Sequence, residues 1–209
     1  MKIHSTADAM QLIRLGFLPA VYILMLLVIF ILPFFSFEEY SIFKNTTSHL
    51  GAQNAPYAWV MNVVFALLGI ASIADGWLRL SKYWLHKIVL TIFGISLVLT
   101  AFFQHAPIIP DVEFNVFEDD LHSKFATITG FSFTFFTISA VFIESTRKRK
   151  VIAVGMSIIA ILLSLLIFRI DELAGVWQRI MFVIMFAWLM YFLYSRADSF
   201  LHYIERKEK

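Results

Sequence analysis

Six stretches of this chain are each long and apolar enough to cross a lipid bilayer, and that count constrains the fold more than any other property of the sequence. Crossing the hydrocarbon as a helix takes about 20 apolar residues. Leu15–Phe35, Ala58–Leu78, His86–Gln104, His122–Ile143, Val151–Phe168 and Val176–Tyr194 meet that requirement. No backbone group can stay unpaired in hydrocarbon, so each window reads as an α-helix and the chain as an all-α membrane protein. The first window is too long for the apolar core of a cleaved signal peptide, and no small-residue cleavage site follows it. The expected fold is an antiparallel bundle of six transmembrane helices forming one integral membrane domain over residues 1–209. No soluble domain fits between the windows.

Basic residues set the expected orientation. The N-terminus, the loop after the second window, the RKRK run at Arg147–Lys150 and the C-terminal tail hold 13 of the 17 Lys and Arg. The other side holds only Lys44, Lys124, Arg169 and Arg179, but nine of the 15 acids. Both termini are therefore expected inside, which requires an even number of spans. A bacterial inner membrane with the long loops in the periplasm is the expected location. The basic loops and tail read as orientation signals attracted to anionic lipid.

Other classes are excluded. The chain has no cysteine, which removes disulfides and thiolate chemistry. A net charge of +2 does not suggest nucleic acid as a partner. No Walker loop, GxGxxG or zinc-protease motif is present, and no internal repeat supports an inverted-repeat transporter. Asp75, Trp77, Tyr83, Trp84, His86, Tyr191, Tyr194, His202 and Tyr203 fall near the inner ends of spans, where an interfacial belt is expected.

The unusual residues collect on the opposite side. Its loops contain KNTTSHLGAQNAPY (Lys44–Tyr57), QHAPIIPDVEFNVFEDDLHSKFA (Gln104–Ala126) and RIDELAG (Arg169–Gly175), which leads into Arg179. An arginine within a span costs up to about 3 kcal/mol on insertion scales and so is expected to have a partner. Asp120, Asp171 and Glu172 are the candidate acids; alternatively Arg179 holds an anionic headgroup or a substrate carboxylate, with Asn62 and His122 beside it. Asp119 or Asp120 is expected to cap the fourth helix, and Gly51 to supply a left-handed helix end before Pro56 starts the next.

Three chemistries follow from these residues. A serine hydroxyl needs a neighbouring base to act as a nucleophile, so Ser48, or Thr47, with His122 as base and Asp120 orienting it, reads as a hydrolase set. His49, His105 and His122 with Asp120 have the donor types for zinc or another divalent metal, although no HxxxH or HxxH spacing links them. The third reading is a structural clasp without chemistry. Ser and Thr of the fourth window are expected to hydrogen-bond back to their own helix or across to a neighbour.

The order Ser-x-Leu-Gly, proline, then Asn (Ser48, Leu50, Gly51, Pro56, Asn62), an acid before His-x-x-x-Ala (Asp120, His122, Ala126), and Gly-x-Trp-Gln-Arg (Gly175, Trp177, Gln178, Arg179) resembles the bacterial six-helix membrane family known as domain of unknown function 998. The resemblance covers essentially the whole chain. It departs in the second long loop, where HAPIIPDVEFNVFEDD replaces a shorter Phe-Pro-acid segment and leaves Asp111, Asp119 and Asp120 as candidates for the family acid. The family implies no activity, but it makes the outer residues its signature. A looser similarity in arrangement is to six-helix membrane lipid hydrolases of the androgen-induced type, which implies Thr47 or Ser48 with His122 as the reacting pair.

The leading expectation is thus an intramembrane hydrolase of a lipid or other amphiphile. In it, Arg179, Asn62, Gln178 and Trp177 bind the ligand. The alternatives are a non-catalytic lipid- or ligand-binding protein, including a subunit of an envelope complex, and a metal-dependent membrane enzyme. Expected partners are membrane lipids and a lipid-like or anionic substrate, and no cofactor other than a divalent metal is suggested.

Overall fold

The computed structural model describes residues 16–207, with side chains to residue 195. Leu15 and the side chains of His202 and Tyr203 lie outside the described residues. Among the described residues seven α-helices form: α1 (Leu18–Ile31), α2 (Thr47–Leu50), α3 (Ala58–Arg79), α4 (Trp84–Phe102), α5 (Val116–Ile143), α6 (Arg147–Arg169) and α7 (Ala174–Lys207). Short 3-10 turns at Leu32–Phe35 and Asp171–Leu173 continue α1 and precede α7. Among the described residues there are six apolar segments long enough to span a membrane, and no strand.

Two of the spans start where a capping side chain is available rather than where hydrophobicity changes. Asn115 accepts hydrogen bonds from the N–H groups of Phe117 and Glu118, so α5 begins six residues before the apolar window does. That role was expected of Asp119 or Asp120, which already lie inside the helix. Thr146 does the same for Arg149 and opens α6 within the basic run.

Helices adjacent in sequence are adjacent in space. The series α1, α3, α4, α5, α6, α7 closes into a ring, because α7 also packs on α1 and α3. Lipid tails are as apolar as leucine, so such contacts depend on close packing rather than on expulsion of water. At the α3–α4 crossing, a Cβ on Gly69 or Gly94 would strike the other's carbonyl oxygen. Inside the ring, Phe93, Phe133, Phe136, Phe186, Trp188 and Phe192 pack edge-on or tilted, with Trp188 and Phe192 stacked, at centroid distances of 5.2–6.5 Å. One end of the bundle carries the short α3–α4 and α5–α6 connections; the other, the long-loop end, carries α2 and the connections before α5 and α7.

The Ser and Thr residues of α5 behave as expected of polar groups in a span. Thr127, Thr129 and Thr137 bond back to Ser123, Phe125 and Thr134 carbonyls, and Thr129 also reaches Ser96 across the interface.

Candidate functional site

Among the described residues Arg179 does not meet an acid. Asp120 pairs with Lys124, Glu172 pairs with Lys44, and Asp171 accepts the Glu172 N–H. The guanidinium, 4% exposed, donates instead to carbonyl oxygens. Its Nε reaches Ile29 at 3.2 Å, and its Nη1 reaches Ile42, Asn45 and Gly175, each at 3.0 Å; Nη2 donates to the Tyr40 hydroxyl at 2.6 Å. The Ile29 carbonyl is open because the residue four positions on is Pro33, which has no N–H to give it. Arg179 thus serves the carbonyl that Pro33 leaves open at the end of α1 and pins the loop after it. That loop lies so close to α7 that a Cβ on Gly175 would collide with the carbonyl oxygens of Ile42, Phe43 and Asn45. Burial holds the Tyr40 phenol above its ordinary range against the opposing pull of Arg179, so it keeps the proton it donates to Asn45 and Thr46.

Asn62, expected beside Arg179, is elsewhere: its Nδ2 donates to the Gly51 carbonyl at 3.0 Å and ties α2 to α3. Gly51 itself is not left-handed (φ −100°), and α3 starts at Ala58 rather than Pro56. The indole Nε1 of Trp177 is buried against the core without an acceptor among the described residues.

The three outer histidines do meet, as a face-to-face stack. His49 and His105 have centroids 4.8 Å apart, His105 and His122 5.0 Å, with 22° between planes at each step. Gln53, buried and unremarked in the sequence, brings them together. Its amide donates to the Gln104 and Asn115 carbonyls, it accepts the Asn115 N–H, and its own N–H bonds the His105 carbonyl. The acid in the array is Asp119, whose Oδ1 lies 2.5 Å from His105 Nδ1 and accepts the Ala106 N–H. Asp120, assigned to orient His122, is exposed on Lys124 because it points around the helix from the stack.

Each ring has a defined task. His49 Nδ1 accepts the Thr46 N–H at 3.1 Å, which closes a capping box at α2 and places the neutral ring's proton on Nε2. His122 Nδ1 faces the carbonyls of Thr100 and Phe103 at 3.0 and 2.9 Å, so it carries the proton and Nε2 holds the lone pair. Stacked rings do not converge their nitrogens on one point. Among the described residues no three His, Asp or Glu are grouped as metal ligands, and Asp120 lies away from the three rings.

Burial lowers the His49 pKa to about 4, with the His105 and His122 charges adding to it and Asp119 opposing. Because the folded value lies below the unfolded one, the unfolded chain binds the proton first. Stability is expected to be intact above pH 6.5 and to fall by on the order of 3 kcal/mol as pH drops toward 4, measured as thermal unfolding in detergent at a series of pH values. Protonation also converts the Nδ1 acceptor of the capping box into a donor. His49→Gln should flatten the profile.

Beneath the stack, inside the ring of helices, lies an apolar cavity of about 110 Å³. Phe65, Phe93, Leu97, Phe133, Met181 and Phe186 form much of its wall, and Ser48 and Gln178 bring polar groups to it at the long-loop end. Gln178 Oε1 accepts both the Thr47 N–H (2.7 Å) and the Thr47 hydroxyl (2.6 Å), which fixes the amide and leaves its Nε2 without an acceptor among the described residues. Ser48, 8% exposed, makes no side-chain hydrogen bond there either. Of the residues singled out in the sequence, Ser48, Ala126 and Gln178 line the cavity, Thr47 positions Gln178, and His122 bonds the carbonyl of Thr100, another wall residue.

Asp75, read from the sequence only as a residue at the inner end of the second span, is a buried junction. It sits at the opposite end with no exposure and accepts the N–H groups of Phe17 and Leu18 and the Tyr194 hydroxyl. An acid inside an apolar window was the available signal. Tyr194 and His86 accordingly face the bundle rather than forming a lipid-facing belt.

No curated protein and no solved structure matches this chain. The family model described as protein of unknown function (DUF998) matches residues 20–194, and the chain belongs to that family.

Proposed function

We propose that this protein binds a single-chain amphiphile from within the membrane, with an acyl or prenyl chain in the cavity and an oxygen-bearing head at Ser48 and Gln178. The observation that carries this reading is the Gln178 amide, locked by Thr47 so that its N–H donors remain available at one end of an otherwise apolar space. Pockets for apolar ligands follow this pattern of many apolar walls and a few fixed polar groups. A carbonyl or carboxylate oxygen is the matching acceptor. The basic connections support an orientation with both termini in the cytoplasm, which puts the head site on the far side, the periplasmic face if the membrane is a bacterial inner one.

Hydrolysis is the second reading, favoured by the unengaged Ser48 hydroxyl and by the His122 tautomer, which leaves a basic Nε2. In that reading Ser48 Oγ attacks an ester carbonyl, His122 takes its proton and returns it to the leaving alcohol, Gln178 Nε2 steadies the oxyanion, and a water deprotonated by His122 then cleaves the acyl–Ser48 ester to release the acid and restore the hydroxyl. The carbonyls of Thr100 and Phe103 take the orienting role first given to Asp120.

One preparation separates the two. A Cβ at Gly130, on the cavity wall, meets nothing within 4 Å, and the same holds at Gly155, which is not on that wall. Native mass spectrometry with palmitate is expected to show one adduct per chain in the wild type and in Gly155→Phe, and none in Gly130→Phe. Equal adducts in all three would end the binding reading. Release of alcohol from a palmitoyl ester, lost in Ser48→Ala, would promote the protein to a hydrolase.

A further inference from the structure

The cavity is smaller than the chain of palmitate. At about 110 Å³ it falls short of the roughly 150 Å³ that holds a single benzene ring in an apolar protein interior. Palmitate has more than twice the carbons of benzene, so most of its chain has to lie elsewhere. The wall shows where that chain can leave.

Gly130 of α5 belongs to the cavity wall and to the outer surface at once. It lines the cavity, it is exposed, and a Cβ built on it meets nothing within 4 Å. Ala126 and Thr134, one turn to either side, also line the cavity and are half-buried. Residues four apart share one face of a helix, so these three form a strip of short side chains along α5. The neighbouring α6 brings Ala160 and Ser164 to the same cavity, again four apart. Gly130 lies 14 residues after Val116 in the 28-residue α5, so at 1.5 Å each it stands about 21 Å along a helix of about 42 Å. That is mid-membrane, where lipid tails rather than water meet the surface. The polar limit of the space is at the other end, where Ser48, 8% exposed, makes no side-chain hydrogen bond among the described residues.

We propose that the cavity is a notch open sideways to the bilayer between α5 and α6. The head and first carbons of an amphiphile are held inside, and the rest of its chain passes out beside Gly130 to lie among the lipid tails. This inference rests on the amphiphile reading of the cavity and adds what the site selects: the head and the carbons next to it, not the length or far end of the chain.

The test is native mass spectrometry of the protein in lipid nanodiscs carrying equal mole fractions of laurate, palmitate and arachidate, then of palmitate against a fatty acid that ends in pyrene. The three plain acids are expected to bind within about threefold of one another, because their extra carbons meet lipid whether bound or free. The pyrenyl acid should compete with palmitate, although its fused rings cannot enter a space too small for one ring. Both adducts should persist in Gly155→Phe and be lost in Gly130→Phe. Palmitate binding with the pyrenyl acid rejected by about tenfold or more would mean a closed chamber. That result, or loss of arachidate alone, would overturn the side opening and leave the amphiphile reading standing. A pyrenyl adduct that survives in Gly130→Phe would also overturn the opening, whereas no adduct with any acid would overturn both readings. Should Gly130→Phe not fold, the wild-type comparisons of chain length and end group decide.

Discussion

Replacing Arg179 with methionine is expected to destabilise the folded protein by about 3–5 kcal/mol, the range for removing one member of a buried charged network. The loss has an identifiable origin. The carbonyls of Ile29, Ile42 and Asn45 would face an apolar side chain, and each hydrogen bond to a charged donor is worth about 1.5–3 kcal/mol. Arg179→Lys should restore less than half of the stability, because one ammonium cannot reach α1 on one side and the loop on the other as Nε and Nη1 do. Unfolding of the purified protein in mild detergent measures both. A cost below about 1 kcal/mol, the worth of an exposed pair, would show that these contacts do not hold the loop in place. Palmitate binding gives a second check: the arginine ties down the chain leading to Thr47, so a folded Arg179 variant should bind more weakly without any change in head specificity.

Asp75→Ala should be nearly as damaging, again by about 3–5 kcal/mol. One carboxylate there caps the first N–H groups of α1 and accepts the Tyr194 hydroxyl at 2.6 Å, so it joins α1, α3 and α7 at one end of the ring. Capping alone contributes about 1 kcal/mol. Asp75→Asn keeps one acceptor oxygen and should lose less. A double-mutant cycle with Tyr194→Phe should return a coupling of at least about 0.5 kcal/mol, as residues in one hydrogen-bond network do. Additive losses would mean that the Tyr194 bond carries no stability of its own.

Arg179 and Asp75 hold opposite ends of the same bundle, and each does so through main-chain groups on another helix. Neither forms the side-chain ion pair that charge pattern alone suggests. In hydrocarbon the main chain is as demanding a partner as a carboxylate, because a carbonyl deprived of its N–H has no water to turn to. Pro33 makes that explicit: its missing N–H is the vacancy that Arg179 fills.

Much of the fold was legible in the sequence because it follows from hydrophobic length. Six apolar windows, short connections and the need to pair every backbone group leave little but six helices, although α5 starts six residues before its window and α7 runs past its own to Lys207. Their ends moved outward where Asn115 and Thr146 supplied caps. The histidines of the candidate site were also legible, as outlying residues at one end of three segments. Their arrangement was not. Gln53, which has no distinguishing context, sets the stack; Asp119 rather than its neighbour Asp120 joins it, since adjacent helical residues point about 100° apart. Sequence alone thus determined which parts of the chain enter the membrane, because transfer into hydrocarbon depends on composition over a window. Only the tertiary structure decided which polar groups meet, because a hydrogen bond requires two atoms within about 3 Å, and residues as distant as Ile29 and Arg179 reach that separation only when the ring of helices closes.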